Sequence, residues 1–244
     1  MRIALVQQAA GADRAANVRR GLEALERAAA AGADLVAYAE LAFEPFYPQR
    51  PAAGERPPAE PVPGPVTEAF QARAAELGVV VVLNLYEADG DRRFDCSPVI
   101  DADGRLLGRT RMVHITDYPC VHEQGYSDPG DTGAPVYATR AGRVGVAICY
   151  DRHYPEVVRA LSLGGAEVVV VPQAGAVDEW PEGLFEAELR VASFQNGYFT
   201  ALCNRVGAEE RLTFGGESFV CDPAGRVVAR AGRLTEEILY ADLD

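Results

Sequence analysis

The sequence predicts an α/β fold built on two packed sheets, and three observations carry that prediction. Apolar strand-like runs alternate with helical segments along the whole chain. Those runs are continuous, as in strands covered on both faces. The chain also echoes itself: RIALVQ, a helix and GADLVAYAE are answered by RVGVAICYD, a helix and GGAEVVVVPQ. Two halves related in this pseudo-two-fold way suggest two mixed sheets face to face with helices outside, a four-layer αββα sandwich. The plainer explanation of the echo is that any α/β protein repeats this unit.

Taken in order, residues 2–6 read as a short buried strand. Residues 15–31 have helical character, with Val18, Leu22, Leu25 and Ala29 recurring at helical spacing, and Gly32 closes the helix. Residues 35–39 form a second buried strand that runs into Glu40. The proline-rich stretch 48–65 reads as an extended loop within one domain, because the same pattern resumes after it. A helix at 67–77, closed by Gly78, precedes a strand at 79–85. Residues 96–101 and 106–115 look like a hairpin turning at Asp103-Gly104, followed by an irregular loop at 116–133. Strands at 136–139 and 144–150 flank the turn Ala141-Gly142, then a helix at 155–164 and a strand at 167–172. A helix at 185–197 leads to strands near 198–203, 217–222, 226–229 and 237–241.

The 244 residues fit one large domain spanning 1–244, with 48% hydrophobic residues to fill its core. Against 36 acids stand 23 bases, a formal charge of −13, so no phosphate-neutralising face for nucleic acid is expected. Every base is arginine; there is no lysine. No stretch approaches the roughly 20 apolar residues of a membrane span, and no secretory signal pattern opens the chain, so no membrane partner is expected. Five cysteines without a CxxC pair indicate neither a disulfide framework nor a zinc site, and a reducing cytoplasm is the expected setting.

Two residues stand where chemistry is done. Cys149 ends the strand VGVAIC and precedes Tyr-Asp-Arg-His-Tyr-Pro, which places it at a strand-to-helix turn. The N–H groups and dipole of the helix N-terminus favour a thiolate there and can receive an oxyanion. The alternative is a small, inert core cysteine. Glu40 ends the strand of the other half, in YAELAF, where a buried acid needs a partner. The alternative is a strand that stops a residue earlier and leaves Glu40 solvated. If both strand tips open into one cleft, the thiol has a base and the reaction is acyl transfer.

These segments resemble the motifs of the carbon–nitrogen hydrolase (nitrilase) superfamily. GADLVAYAELAF is similar to its glutamate motif and VGVAICYDRHYPEVVRALSLGGAEVVVVP to its cysteine motif. HEQGYSDPGD resembles the loop that carries a second glutamate, and RVASFQNGYFTALCNRVG and TFGGESFVCDPAGRVVARAG resemble later segments. The resemblance implies the αββα fold. It implies hydrolysis of a non-peptide C–N bond in a small amide or N-carbamoyl compound, through a cysteine thioester and without metal or cofactor. It assigns Glu40 as general base, Cys149 as nucleophile, Glu123 as the positioning glutamate and the Tyr150 N–H as part of the oxyanion hole. A homodimer or larger homo-oligomer is implied as well.

One position departs from the pattern. The family's catalytic lysine falls on Met112, in Gly108-Arg109-Thr110-Arg111-Met112-Val113-His114. A thioether has no N–H to donate. Losing one oxyanion donor costs on the order of 10²–10³ in rate. Arg111 faces away on a predicted strand, whereas His114 shares the Met112 face; the alternative for His114 is a structural hydrogen bond. The chain is therefore expected to be an active hydrolase in which His114, Arg152 or a substrate cation fills the gap, or else a weak or silent relative that binds an amide or acyl ligand. A peptide-cleaving cysteine protease, pairing Cys with His, is a third reading.

Arg152 matches an arginine that the N-carbamoyl amino acid and β-ureido acid branches of the family associate with the substrate carboxylate, so the resemblance implies that role; the alternative is a salt bridge to Asp151, Glu156 or another acid. Trp180, the only tryptophan, together with Asp178 and Glu182, could border the substrate end and suit an amine-bearing tail, or else lie on a surface loop.

Overall fold

The structure is a computed structural model, and it describes residues 1–54 and 56–244. The first half opens with β1 (Arg2–Gln7), α1 (Arg14–Ala30) and β2 (Leu35–Tyr38), with β1 and β2 parallel. Asp13 caps α1 by accepting from the Ala16 N–H at 3.0 Å. Then come α2 (Pro65–Leu77), β3 (Val80–Val82), β4 (Leu85–Asp89), β5 (Arg92–Ile100) and β6 (Leu106–Arg111). α2 starts on Pro65 and ends on left-handed Gly78.

Two short strands, β7 (Asp117–Tyr118) and β8 (Val121–His122), lie in the stretch expected to be irregular. The second half holds β9 (Val136–Thr139), β10 (Gly142–Val146), α3 (Pro155–Leu163), β11 (Val168–Gln173), α4 (Leu184–Asn196) and β12 (Phe199–Asn204). It continues with the small hairpin β13 (Val206–Ala208) and β14 (Thr213–Gly215), then β15 (Phe219–Cys221), β16 (Val227–Arg230) and β17 (Glu237–Asp242).

One sheet runs β17-β1-β2-β3-β5-β4 with β6 on β5; the other runs β16-β15-β12-β11-β10-β9. Each has a parallel centre, β1-β2-β3 and β10-β11-β12, flanked by antiparallel strands. Strand alternation makes the layers. Leu35 and Ala37 face the second sheet, where they join Val146, Val168, Val170 and Ala201; Val36 and Tyr38 face the helices, with Leu25 and Phe70. Leu161 and Leu189 cover the far side of the second sheet at Val169 and Val171. The layers are thus α1/α2, sheet, sheet, α3/α4, as the echo suggested.

Three predicted elements are corrected. The strand expected at 144–150 ends at Val146, and Cys149 opens a helical turn instead of closing a strand. The single strand expected at 79–85 is broken after β3, because buried Asn84 turns its amide to Asp95, Ser97 and the Leu41 N–H instead of joining a ladder. The strand expected to reach residue 115 stops at Arg111. Beyond it the Asp151 carboxylate takes the Val113 and His114 N–H groups, which a ladder would otherwise use. The expected loop at 48–65 carries a short helical turn, Tyr47–Gln49, and its residue 55 lies outside the described residues.

Candidate active site

β2 and β10 belong to different sheets, yet the residues that follow them meet. One ligand atom each from Glu40, Glu123 and Cys149 lie within 4.8 Å of one another, and all three residues are buried. Both turns are tight. Leu41, just after Glu40, has φ 45° and Cys149 has φ 44°, left-handed values that side chains with a Cβ rarely adopt. Cys149 begins a helical turn, Cys149–His153, ahead of α3. The Glu40 turn is pinned from two sides. Asn84 accepts from the Leu41 N–H at 2.7 Å. The fully buried Arg205 guanidinium donates to the carbonyls of Glu40, Leu41 and Glu44 and pairs with Glu209.

A narrow cavity opens on Glu40 and Glu123. Glu40, Asp95, Met112 and Glu123 line it, among Phe46, Tyr86, Tyr126 and other side chains, and the Cys149 sulfur lies within 4.8 Å of a carboxylate oxygen of each glutamate. Neither Glu40 oxygen accepts a hydrogen bond from a fixed donor, though the residue is only 1% exposed. The groups facing it are the Asp95 carboxyl and the Cys149 thiol, which donate only while protonated. Asp95 is in turn held by the Asn84 amide at 2.6 Å, and Glu123 accepts from the Thr116 N–H at 3.1 Å. Glu40, Glu123 and Cys149 have the ligand types and the spacing that could hold a metal ion.

The electrostatics correct one expectation. Burial, with Glu40 and Glu123 beside it, pushes the Cys149 thiol up, and Arg152 pulls the other way without prevailing. The resting sulfur is a thiol, not the thiolate a helix N-terminus alone would favour, and for it to act as a nucleophile a base would have to take its proton. Burial and the neighbouring acids Asp95 and Glu123 likewise hold the Glu40 carboxyl well above the usual carboxylate range. Burial pushes Asp95 up to about 6 and Glu123 up to about 8.

This predicts a stability slope. Folded Glu123 binds its proton more tightly than the unfolded chain does. Its stabilisation is present below the ordinary carboxylate range and is lost as pH rises through about 8. Glu123→Gln is expected to flatten the fall in Tm between mildly acidic and mildly alkaline buffer by about 3 °C or more, the scale of ~1 kcal/mol in a domain of this size. Parallel Tm curves for the two proteins would remove this account of Glu123.

The other expected site residues fall elsewhere. Met112 is buried on the cavity wall, its N–H bonded to the Asp95 carbonyl at 3.0 Å. Arg111 points away, as alternation required, and is bound by Glu87, Asp89 and Asp131. His114 does not reach the cavity: its Nδ1 lies 2.7 Å from Asp151 Oδ1 and its ring stacks on Tyr154 at 3.5 Å, a structural role. Arg152 is buried on the Cys149 carbonyl and the Gln173 amide oxygen, with its Nε 3.2 Å from Glu188; it does not line the cavity. Trp180 packs edge-on to Tyr118 and His153 and lines a second cavity with Asp178 and Glu182, which shares no wall residue with the first. Tyr150 sits on the turn after Cys149, 5.8 Å between ring centres from Tyr154.

Sequence reasoning missed Asp95, Asn84 and Arg205. Asp95 immediately precedes the strand expected at 96–101, an acid at a strand end as Glu40 is.

The sequence profile of the Carbon-nitrogen hydrolase family matches residues 2–244. An N-carbamoylputrescine amidase of Solanum lycopersicum is 34% identical over 99% of this chain and 85% of its own length. A citrullinase of Francisella tularensis is 31% identical over 74% of this chain and 66% of its own. Among solved structures, a carbon–nitrogen hydrolase from Helicobacter pylori G27 superposes with a TM-score of 0.91 at 28% identity, covering 100% of this chain and 89% of the other. A glutamate-to-glutamine variant of the amidase from Nesterenkonia sp. AN1 bears the acetamide moiety of fluoroacetamide on its active-site cysteine. It superposes with a TM-score of 0.86 at 28% identity, covering 100% of this chain and 90% of the other.

Proposed function

Since the chain belongs to the carbon–nitrogen hydrolase family, we propose that it hydrolyses a small amide or N-carbamoyl compound through a thioester on Cys149. The observation that carries this reading is the buried meeting of Glu40, Glu123 and Cys149 within 4.8 Å. Glu40 takes the thiol proton as the sulfur attacks the carbonyl carbon, then returns it to the departing nitrogen. The Tyr150 N–H receives the oxyanion, and Glu123 orients the leaving group. Water, activated by Glu40, releases the acid product and restores the thiol.

The named relatives act on a carbamoylated amine and on citrulline, which supports an N-carbamoyl substrate. Arg152, bound to the Cys149 carbonyl, acts as a positioning residue in this reading, and Trp180 shapes the neighbouring cavity. The protease reading loses its support, since no histidine lines the cavity. One observation favours a second reading, a silent protein that binds an amide or acyl ligand: Met112 offers no donor where the resemblance expects a cation. Exposed Leu163, Val191 and Phe194 on α3 and α4 support self-association into a homo-oligomer. No helix among the described residues is long and apolar enough to cross a membrane, and the free cysteines suit a reducing cytoplasm.

Ammonia release across a panel of small amides and N-carbamoyl amines tests the proposal. Turnover by the purified protein, absent from Cys149→Ala, is the expected result. A folded wild type inert to the whole panel, with a Cys149 no more reactive to iodoacetamide than Cys96, Cys203 or Cys221, favours the silent reading.

A further inference from the structure

The cavity wall carries three acids, Glu40, Asp95 and Glu123, and no basic side chain. Three buried arginines are engaged elsewhere: Arg152 with the Cys149 carbonyl, Gln173 and Glu188, Arg205 with the Glu40 turn, and Arg111 with Glu87, Asp89 and Asp131. Glu40 lines the cavity, and neither of its buried oxygens accepts from a fixed donor; only the titratable Asp95 carboxyl and Cys149 thiol face it. Attack of sulfur on a neutral amide would place an oxyanion among these acids, with only backbone N–H groups to offset it. A buried charge without a counter-charge is costly.

We propose that the site also hydrolyses amidinium or guanidinium groups, the substrate itself bringing the cation that the Glu40–Asp95–Glu123 wall lacks. A planar amidinium presents several N–H donors to the Glu40 and Asp95 carboxylates, the fork geometry that such pairs favour. Its positive charge also draws the wall acids and the thiol toward their ionised forms, so the base becomes competent when the substrate is bound.

The steps balance. Glu40 takes the Cys149 proton as sulfur bonds to the amidinium carbon, and the C=N electron pair moves onto nitrogen. The tetrahedral adduct is neutral, so no oxyanion forms. Glu40 passes the proton to one nitrogen, which leaves as ammonia while a cationic thioimidate stays on the sulfur. Water adds with Glu40 as base, and the second adduct expels the sulfur, which regains a proton. An amidine gives an amide and a guanidine gives a urea; one water is consumed and one ammonium released. The proposal rests on Cys149 and Glu40 acting as nucleophile and base, and changes the group they attack.

The test compares acetamidine with acetamide and methylguanidine with methylurea, by ammonia release at neutral pH. The wild type is expected to favour each cation over its neutral counterpart by on the order of 10²-fold, the scale of one missing oxyanion donor. Met112→Lys is expected to reverse the preference by repelling the cation and supplying that donor. Should Met112→Lys not fold, acetamidinium chloride is still expected to raise the wild-type Tm above acetamide or sodium chloride at equal concentration. Turnover of the amides without the amidines overturns this inference and leaves amide hydrolysis standing. Turnover of neither class overturns both. Amidine turnover that EDTA abolishes and a divalent metal restores means that the acids hold a metal ion, and the proposal falls.

Discussion

Glu40→Gln is expected to lower kcat by about 10²- to 10⁴-fold, the usual worth of a positioned general base. The glutamine amide fills the same volume but cannot accept the thiol proton. The resting sulfur is a thiol because burial and two neighbouring acids hold its proton on, so no thiolate waits to act without a base. The loss should appear in kcat more than in KM, because the proposed mechanism needs Glu40 as the proton moves. The fold should not suffer. A buried carboxyl with two unpartnered oxygens is a liability, and its neutral replacement is expected to keep or raise Tm. A variant that retains wild-type kcat would leave Glu40 without a role. Histidine is not a ready substitute, since His114 and His153 are bound to Asp151 and Glu188.

The largest effect on stability is expected at Arg205. Its guanidinium satisfies the carbonyls of Glu40, Leu41 and Glu44 and the Glu209 carboxylate, while lying over the Phe214 ring at 5.1 Å. Arg205→Met strands those acceptors in the interior and is expected to cost about 3–5 kcal/mol, the range for breaking a buried charge pair by removing one partner. In a domain of this size that is about 10 °C or more in Tm. Activity should fall as well at temperatures where the variant remains folded, because the left-handed turn that aims Glu40 loses its clamp. Arg205→Lys, with one ammonium in place of a fork, is expected to recover only part of either loss. Chemical denaturation and kcat measured on the same preparations check both; a change below about 1 kcal/mol, the net worth of an ordinary hydrogen bond, would contradict this account.

The sandwich and its two opposed strand tips were legible because they are written in local pattern. Apolar runs mark β2, β10 and β11, and their alternation decides which side chains face the other sheet. Glu40 and Cys149 stood out as polar or reactive residues at the ends of such runs, and the Arg111–Met112 alternation gave the right faces. What was not legible depends on partners distant in sequence. The break at Asn84 follows from what its amide must hold, Asp95 and Leu41. The end of β6 follows from Asp151, 40 positions past Arg111 in the numbering, which claims the next two N–H groups. His114 and Arg152 looked available as lone basic residues, and only the fold reveals that Asp151, Gln173 and Glu188 already occupy them. The protonation of Cys149 follows from burial and from acids on two distant segments, Glu40 and Glu123, which no local motif expresses.

Intact-protein mass spectrometry during turnover of whichever panel substrate proves active tests the central claim, that Cys149 is the nucleophile served by Glu40. Quenching within the first turnovers is predicted to reveal a mass increase equal to the acyl or carbamoyl fragment, mapped to the peptide containing Cys149 and absent from Cys149→Ala. Turnover that persists in Cys149→Ala, or that proceeds with no sulfur-bound fragment under conditions where Glu40→Gln also remains fully active, would contradict it.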